Sequence, residues 1–433
     1  MRALILAEEC NPEWPSLPLV GFNTCRALAD ELDVVVATHV RNRAYLAPGA
    51  LGSAEVAFID NEYIARPMYR GATRIRGGSS VNWTANVAMA YLPYLVFERE
   101  VWKRFGSELR AGRFDVVHRV TPMSPTIPSP FARWSPVPFV LGPLNGGLPW
   151  PREFRAELRR EREWLTYARD AYRMLPYYRS TYRRAAAILA AFPHTIRDLP
   201  ADALDRVVDF PEVGIDPERF RAGERAGRAG PLTFLFVGRL VPYKCADVAI
   251  RAFAESPPLR SHRLVVIGDG PERASLQDLI RTHGLEGTVR LAGALPQPEV
   301  AAAMRDADVF VFPSIRELGA GVVIEAMASG LPCVVTDYGG PGGLVDANRG
   351  VKVPLGEKDG LVAAFRSALE ALAADAARRE RLGANARAYA LREFTWAAKA
   401  KKLERVYEWV LGRSRARPAF ANEANPSALP GFG

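Results

Sequence analysis

Between residues 234 and 353, six short apolar runs (234–237, 264–267, 289–291, 309–312, 333–336 and 351–353) are each followed by a glycine-rich turn or a helical stretch. The runs 234–237, 264–267 and 309–312, rich in β-branched and aromatic residues and without polar alternation, suit strands buried on both faces, and the stretches between the runs are long enough for parallel crossovers. A parallel sheet with helices on both faces is predicted. The first half repeats the pattern, with runs at 3–7, 34–38, 56–59, 115–118, 139–141 and 187–191 and a helix over 21–32. Near Asp209 it gives way to DFPEVGIDPERF and then to a small, charged stretch at 222–230. The prediction is two α/β domains over 1–211 and 231–394, a linker at 212–230, a last helix within 395–412 and a disordered tail over 413–433. A length of 433 residues suits two domains of about 100–200 residues each.

Hydrophobic content of 48% and charged content of 24% are those of an ordinary globular protein. The apolar start reaches Glu8-Glu9 too soon for a signal peptide, and no run approaches the roughly 20 apolar residues of a membrane span. A cytoplasmic location is expected. Cys10, Cys25, Cys245 and Cys333 lack the close spacing of a zinc or redox site and read as structural thiols. The net charge of +9 concentrates in 152–184, where ten arginines face five carboxylates among Trp164, Tyr167, Tyr172, Tyr177 and Tyr178. Two readings stay open: peripheral docking on anionic lipid at the inner membrane face, or solvated helices whose aromatics face the core and whose arginines pair with Glu153, Glu157, Glu161 and Glu163. No nucleic-acid-binding signature accompanies the charge.

In such a sheet the ligand sits outside the carboxyl ends of the strands, so Gly238-Arg239, Gly268-Asp269-Gly270, Gly293, 314–321 and 337–343 should line one crevice. Within it, Glu317 and Glu325 are separated by seven residues. The strand at 309–312 ends at Pro313-Ser314, a loop carries Glu317, and Gly319 and Gly321 open a helix bearing Glu325 about one turn inside. Both carboxylates should face one pocket, beside a helix start whose amides suit a phosphate. Arg239 and Lys244, at another strand exit, suit a diphosphate and would stabilise the charge that grows on it as a leaving group, in place of a metal ion. Glu325 can accept from two vicinal ribose hydroxyls, and Glu317 would face a sugar. Paired carboxylates also occur in glycosidases, which need no phosphate apparatus. Gly268 and Gly270 are followed by Pro271, and no complete G-x-G-x-x-G is present, which weakens a nicotinamide reading. Asp306 and Asp308 resemble a metal-binding pair, but they fall at a helix end and a strand start; no metal site is expected. His118, at the end of its run before Arg119, Thr121 and a proline-rich loop, is either a ligand of sugar or acceptor or a hydrogen-bonded structural residue. Asn145 and Gly146, in NGG after another strand, either approach a bound diphosphate or make a simple turn.

The blocks FVGRLVPYKCADVAIRAF, VVIGDGPERASLQDLI, LAGALPQPEVAAAMRDADVFVFPS and RELGAGVVIEAMASGLPCVVTDYGGPGGLV, in this order, resemble the family 4 retaining glycosyltransferases, most strongly over 233–350. The resemblance implies a GT-B fold: two Rossmann-like domains whose parallel sheets face each other across an interdomain cleft. It implies an acceptor-binding first domain, a second domain that binds a UDP- or GDP-sugar, and a final helix that crosses back to the first. Arg239 and Lys244 match the positions that hold the donor diphosphate, with Gly238 and Gly268 beside them. Glu325 matches the ribose ligand and Glu317 the ligand of the sugar hydroxyls. The backbone of Gly319, Ala320, Gly321 and Val322 would meet the phosphates, and Gly293 to Leu295 would border the base. Arg239, Lys244, Glu317 and His118 are the candidates for the reaction. Transfer in the family usually retains anomeric configuration and needs neither metal nor cofactor; the nucleotide sugar is a co-substrate, and acceptors are small molecules, glycans or lipid-linked. Two departures stand out: Cys245 replaces the glycine usual after the lysine, and Leu318-Gly319-Ala320 replaces glycine-phenylalanine-glycine. An epimerase or phosphorylase of the same fold, and a non-catalytic nucleotide-sugar-binding scaffold, remain alternatives.

Overall fold

The computed structural model describes residues 1–75, 83–154, 171–224 and 230–420. These residues form two compact units, dividing after Gly147, Glu212 and Thr395.

The first unit holds seven parallel strands: β1 (Arg2–Ala7), β2 (Asp33–His39), β3 (Glu55–Ile59), β4 (Val116–Thr121), β5 (Phe139–Leu144), β6 (Ala187–Ala190) and β7 (Val207–Asp209). Their order is β3-β2-β1-β4-β5-β6-β7. Side chains alternate between two buried faces, which is why these runs show no polar alternation. Leu4, Leu6, Val35 and Val117 meet Tyr94, Phe97 and Val101 of the helix Trp83–Arg110. Ala3, Ile5, Val34 and Val116 meet Phe22, Cys25 and Leu28 of Leu17–Glu31, together with Leu403, Val406 and Tyr407 of Trp396–Val410. Each large apolar side chain buried in this way contributes roughly 1.5–3 kcal/mol.

The second unit repeats the plan with β8 (Thr233–Val237), β9 (Arg263–Ile267), β10 (Val289–Gly293), β11 (Val309–Phe312), β12 (Cys333–Thr336) and β13 (Gly350–Val353), in the order β10-β9-β8-β11-β12-β13. All its pairings are parallel. The two sheets are anchored alike. Asp115, before β4, accepts from the Arg2 amide (2.7 Å), and Asp308, before β11, accepts from the Thr233 amide (2.7 Å). Asp308 is thus a strand-entry cap, and among the described residues no group of three or more His, Cys, Asp or Glu could hold a metal ion.

Several boundaries differ from those predicted. Strand β4 runs through Thr121, so His118 lies within the strand, paired with Ile5, and not at its end. Strand β7, only three residues long, carries too little pattern to be seen in the sequence. The segment expected to link the domains over 212–230 joins the second unit from Val213: the Ile215 amide donates to the Phe394 carbonyl (2.8 Å), and Phe220 is buried. Leu148 also belongs to the second unit. Part of the expected tail is fixed, since Arg417 donates to the Val207 carbonyl (2.7 Å) and Phe420 is buried in the first unit's core; 421–433 lie outside the described residues. Residues 155–170 of the basic stretch, Trp164 and Tyr167 included, also lie outside them, while Tyr178 is buried and Tyr172 packs against the core. No helix among the described residues is long and apolar enough to cross a membrane.

Candidate functional site

In the second sheet β8 lies beside β11, with earlier strands to one side and later strands to the other, and a doubly wound sheet takes its ligand outside the carboxyl ends at this point. The exits of β8 and β9 are knitted together by backbone hydrogen bonds from Gly238 to Ile267 (3.0 Å) and from Leu240 to Asp269 (2.9 Å). Gly268 allows this closeness: its φ is +142°, and a Cβ there would stand 1.9 Å from the Gly238 carbonyl oxygen. Arg239 is exposed at this exit.

The chain then makes a single turn at Pro242–Lys244 and enters the helix Ala246–Ala254. The Tyr243 carbonyl accepts from the Ile315 amide (2.9 Å) and the Ser314 hydroxyl (3.2 Å), which staples this loop to the exit of β11. The staple brings Lys244 to Glu317, and the two form an ion pair with side chains 12% and 22% exposed. The ammonium also lies 4.9 Å from the centre of the Phe312 ring. From the sequence these residues suit separate parts of a ligand, the diphosphate and the sugar; in the structure they pair with each other. Glu317 is held through its backbone as well, since the Gly340 amide donates to its carbonyl (2.9 Å). Gly339 must be glycine for this approach, because its φ is +61° and a Cβ would stand 2.3 Å from that oxygen.

Gly319 and Ala320 lead into the helix Gly321–Ala328. No side chain caps its start, so the first-turn amides of Gly321 and Val322, which have no intrahelical partner, are available to an anion. At its other end Arg387 donates to the Ala328 carbonyl, a cation at the negative pole of the dipole. Glu325 lies one turn in and is half-buried; burial raises its pKa to about 7. Gln297, opening the helix Gln297–Asp306, donates to it (3.4 Å) and is itself held by Arg219. Leu295 and Gly293 are half-buried, and the Gly293 carbonyl accepts from the Gly268 amide (2.8 Å).

Other side chains around this site were not singled out from the sequence. Trp150 meets Tyr243 edge-on (6.2 Å), Arg316 stacks over Trp150 (5.0 Å), and the Tyr338 hydroxyl donates to the Pro149 carbonyl (2.8 Å). Pro149 and Trp150 are visible in the sequence, but their contacts with Tyr243, Arg316 and Tyr338 are not. Gln297 and Arg219 carried no signal beyond their type.

The remaining candidates, His118, Asn145 and Gly146, belong to the first unit. His118 is fully buried. Its Nε2 meets the Gly142 carbonyl (2.6 Å), which can only accept, so Nε2 carries the proton and Nδ1 accepts from the Tyr407 hydroxyl (2.6 Å). Burial pulls the His118 pKa down to about 4, so the ring is neutral near pH 7. Of its two readings, this geometry favours the structural one. Asn145 donates to Glu212, and Gly146 exchanges hydrogen bonds with the Thr195 hydroxyl (2.9 and 3.4 Å).

A nearly buried cation held by a carboxylate, two uncapped amides and a second carboxylate one helical turn away form a site for an anion with neighbouring hydroxyls. Residues 221–389 match the model of the family glycosyl transferases group 1. A 2-deoxystreptamine glucosyltransferase of Streptomyces kanamyceticus is 32% identical over 220 residues, 44% of this chain and 57% of that relative. The chain spans about half the length of the curated relatives it matches. A sucrose-phosphate synthase structure from Thermosynechococcus elongatus is similar with a TM-score of 0.65 at 16% identity, covering 95% of this chain and 100% of that one. The Anabaena protein HepE in complex with UDP is similar with a TM-score of 0.61 at 17% identity, covering 94% and 99%. At these identities the likeness concerns the fold, which is GT-B, built of two Rossmann-like halves. Over residues 221–389 the chain is thus similar to the group 1 glycosyltransferases.

Proposed function

We propose that this protein is a retaining glycosyltransferase that moves a sugar from a UDP- or GDP-sugar to a hydroxyl-bearing acceptor. The observation that carries the reading is the meeting of Lys244, Glu317 and the uncapped helix start at the carboxyl ends of β8 and β11. The UDP bound by the similar HepE structure supports a nucleotide donor. The donor diphosphate lies against the amides of Gly321 and Val322, with Lys244 and Arg239 as counter-charges. Glu325 accepts from the ribose hydroxyls. Glu317 holds Lys244 in place and accepts from the sugar hydroxyls.

In the reaction the bond from the anomeric carbon to the diphosphate breaks, and a bond to the acceptor oxygen forms on the same face. The acceptor's proton passes to the departing phosphate oxygen, so no enzymic nucleophile is required. Charge grows on the leaving diphosphate, where Lys244, Arg239 and the amides stabilise it more in the transition state than before. These cations take the place of a metal ion, and turnover should be unchanged by a chelator. The acceptor, a small molecule, a glycan or a lipid-linked sugar, is taken by the first unit. Neutralising Arg159, Arg160 and Arg162 should weaken co-sedimentation with anionic vesicles if the basic stretch docks on a membrane.

The test is a donor and acceptor panel read by nucleoside diphosphate release and by NMR of the product's anomeric centre. Acceptor-dependent release with retained configuration is expected. Inverted product excludes the same-face mechanism, phosphate-dependent turnover points to a phosphorylase, and isotope exchange at the sugar carbon without acceptor to an epimerase. Nucleotide binding without turnover across the panel would leave a scaffold.

A further inference from the structure

Glu325 does not stand alone at the ribose position. The Gln297 amide nitrogen approaches its Oε1 at 3.4 Å, and the Gln297 oxygen is held by the Arg219 guanidinium. Arginine can only donate, so Gln297 must turn its oxygen toward Arg219 and its NH2 toward Glu325. The orientation of the amide is therefore fixed by the cation behind it. A donor at one carboxylate oxygen favours the ionised form and leaves the other acceptor sites of Glu325 for two hydroxyls. We propose that Gln297, oriented by Arg219, is a positioning residue that presents the Glu325 carboxylate to the donor ribose and sets the pH range over which the site takes its nucleotide. This rests on the reading of Glu325 as the ribose ligand.

The surroundings supply few other charges. Strand β11 and the helix Gly339–Leu344, packed against the Glu325 helix, bring no charged side chain. Strand β12 brings the Cys333 thiol, 4.0 Å from the Val323 carbonyl and kept protonated by burial. The helix Ala376–Phe394 brings Arg387, which reaches the far end at Ala328. Lys244 and Glu317 pair with each other. Gln297 and Arg219 thus remain as the groups that favour ionised Glu325 against the burial that raises its pKa to about 7.

The experiment is calorimetric titration of UDP-glucose and GDP-mannose across pH, using diphosphate diesters because their own charge is constant over the range. In the wild type, affinity for the nucleotide sugar that binds should rise as pH increases through about 7. Gln297→Ala should move that midpoint upward by about half to one pH unit and weaken binding at pH 7 by roughly 3- to 10-fold, with the difference shrinking at higher pH. Arg219→Ala should do the same to a smaller extent. Gln297→Glu, which sets a second carboxylate beside the first, should move the midpoint further up. A merely structural Gln297 would weaken binding equally at every pH, and that result, or an unchanged midpoint, overturns the proposal while Glu325→Gln still abolishes the pH dependence. If Glu325→Gln leaves affinity unchanged, the reading of the ribose site fails, and this proposal with it.

Discussion

At the scale of single residues, both departures from the family's glycine pattern fall where the backbone is left-handed. Cys245 has φ 51° and ψ 41° and Ala320 has φ 49° and ψ 46°, and each stands immediately before a helix of the second unit. A side chain in this region costs about 1–2 kcal/mol. Ala320→Gly should therefore raise unfolding stability by about 0.5–1 kcal/mol in urea titrations, the buried methyl and the freedom of glycine offsetting part of the gain. A loss of stability would show that the methyl packs better than its backbone costs. Glu325 has the opposite character. Its folded pKa, about 7, is raised, so its contribution is fully present below about 4.5, the usual carboxyl value, and is lost as pH rises through about 7. Glu325→Gln should raise the melting temperature near pH 7.5 while weakening nucleotide binding; a variant less stable at that pH would contradict the assignment. Glu317, Glu325, Arg239 and Lys244 were legible because strand exits can be read from apolar runs. Their pairing was not, since Lys244 and Glu317 are 73 residues apart and meet only through the backbone staple at Tyr243.

At the scale of elements, the helix Trp396–Val410 is tied to the first unit's central strand through the hydroxyl of Tyr407 and the ring of His118. Tyr407→Phe leaves a buried ring nitrogen without its donor and should cost about 1–2 kcal/mol. Because the folded pKa of His118 is depressed to about 4, its contribution is complete above about 6.5 and is lost as pH falls from there toward 4. Denaturant titrations at pH 7.5 and 5 should show that loss in the wild type and a smaller one in His118→Asn. The inner parallel strands were legible because runs buried on both faces, such as β8 and β11, are apolar without interruption. Strand β7 was not, having only Val207, Val208 and Asp209. The end of β4 was misplaced because His118 and Arg119 look like exit residues, yet both are fully buried, and Arg119 spends its guanidinium on the Ile127 (2.6 Å) and Ser124 (3.3 Å) carbonyls.

At the scale of the whole molecule, the two sheets share one winding and one anchoring device, the aspartate before the fourth strand that receives the amide at the start of the first. Asp308→Ala should cost about 1–2 kcal/mol, with loss of that hydrogen bond and no effect on metal content. Repetition of the plan was legible from the recurrence of apolar runs. The division between the units was less so, because Val213 and Leu148 join the second unit by contacts that the proline- and glycine-rich composition around them does not announce. The central claim is that the second sheet's carboxyl edge holds a nucleoside diphosphate. The most direct measurement is calorimetric titration of UDP and GDP into the wild type, Lys244→Ala and Glu325→Ala, each checked for an intact fold by circular dichroism. One nucleotide should bind the wild type, and each variant should bind it at least about tenfold more weakly, a loss of about 1.4 kcal/mol or more. Equal affinity in all three proteins, or no binding of either nucleotide by the wild type, would contradict the account.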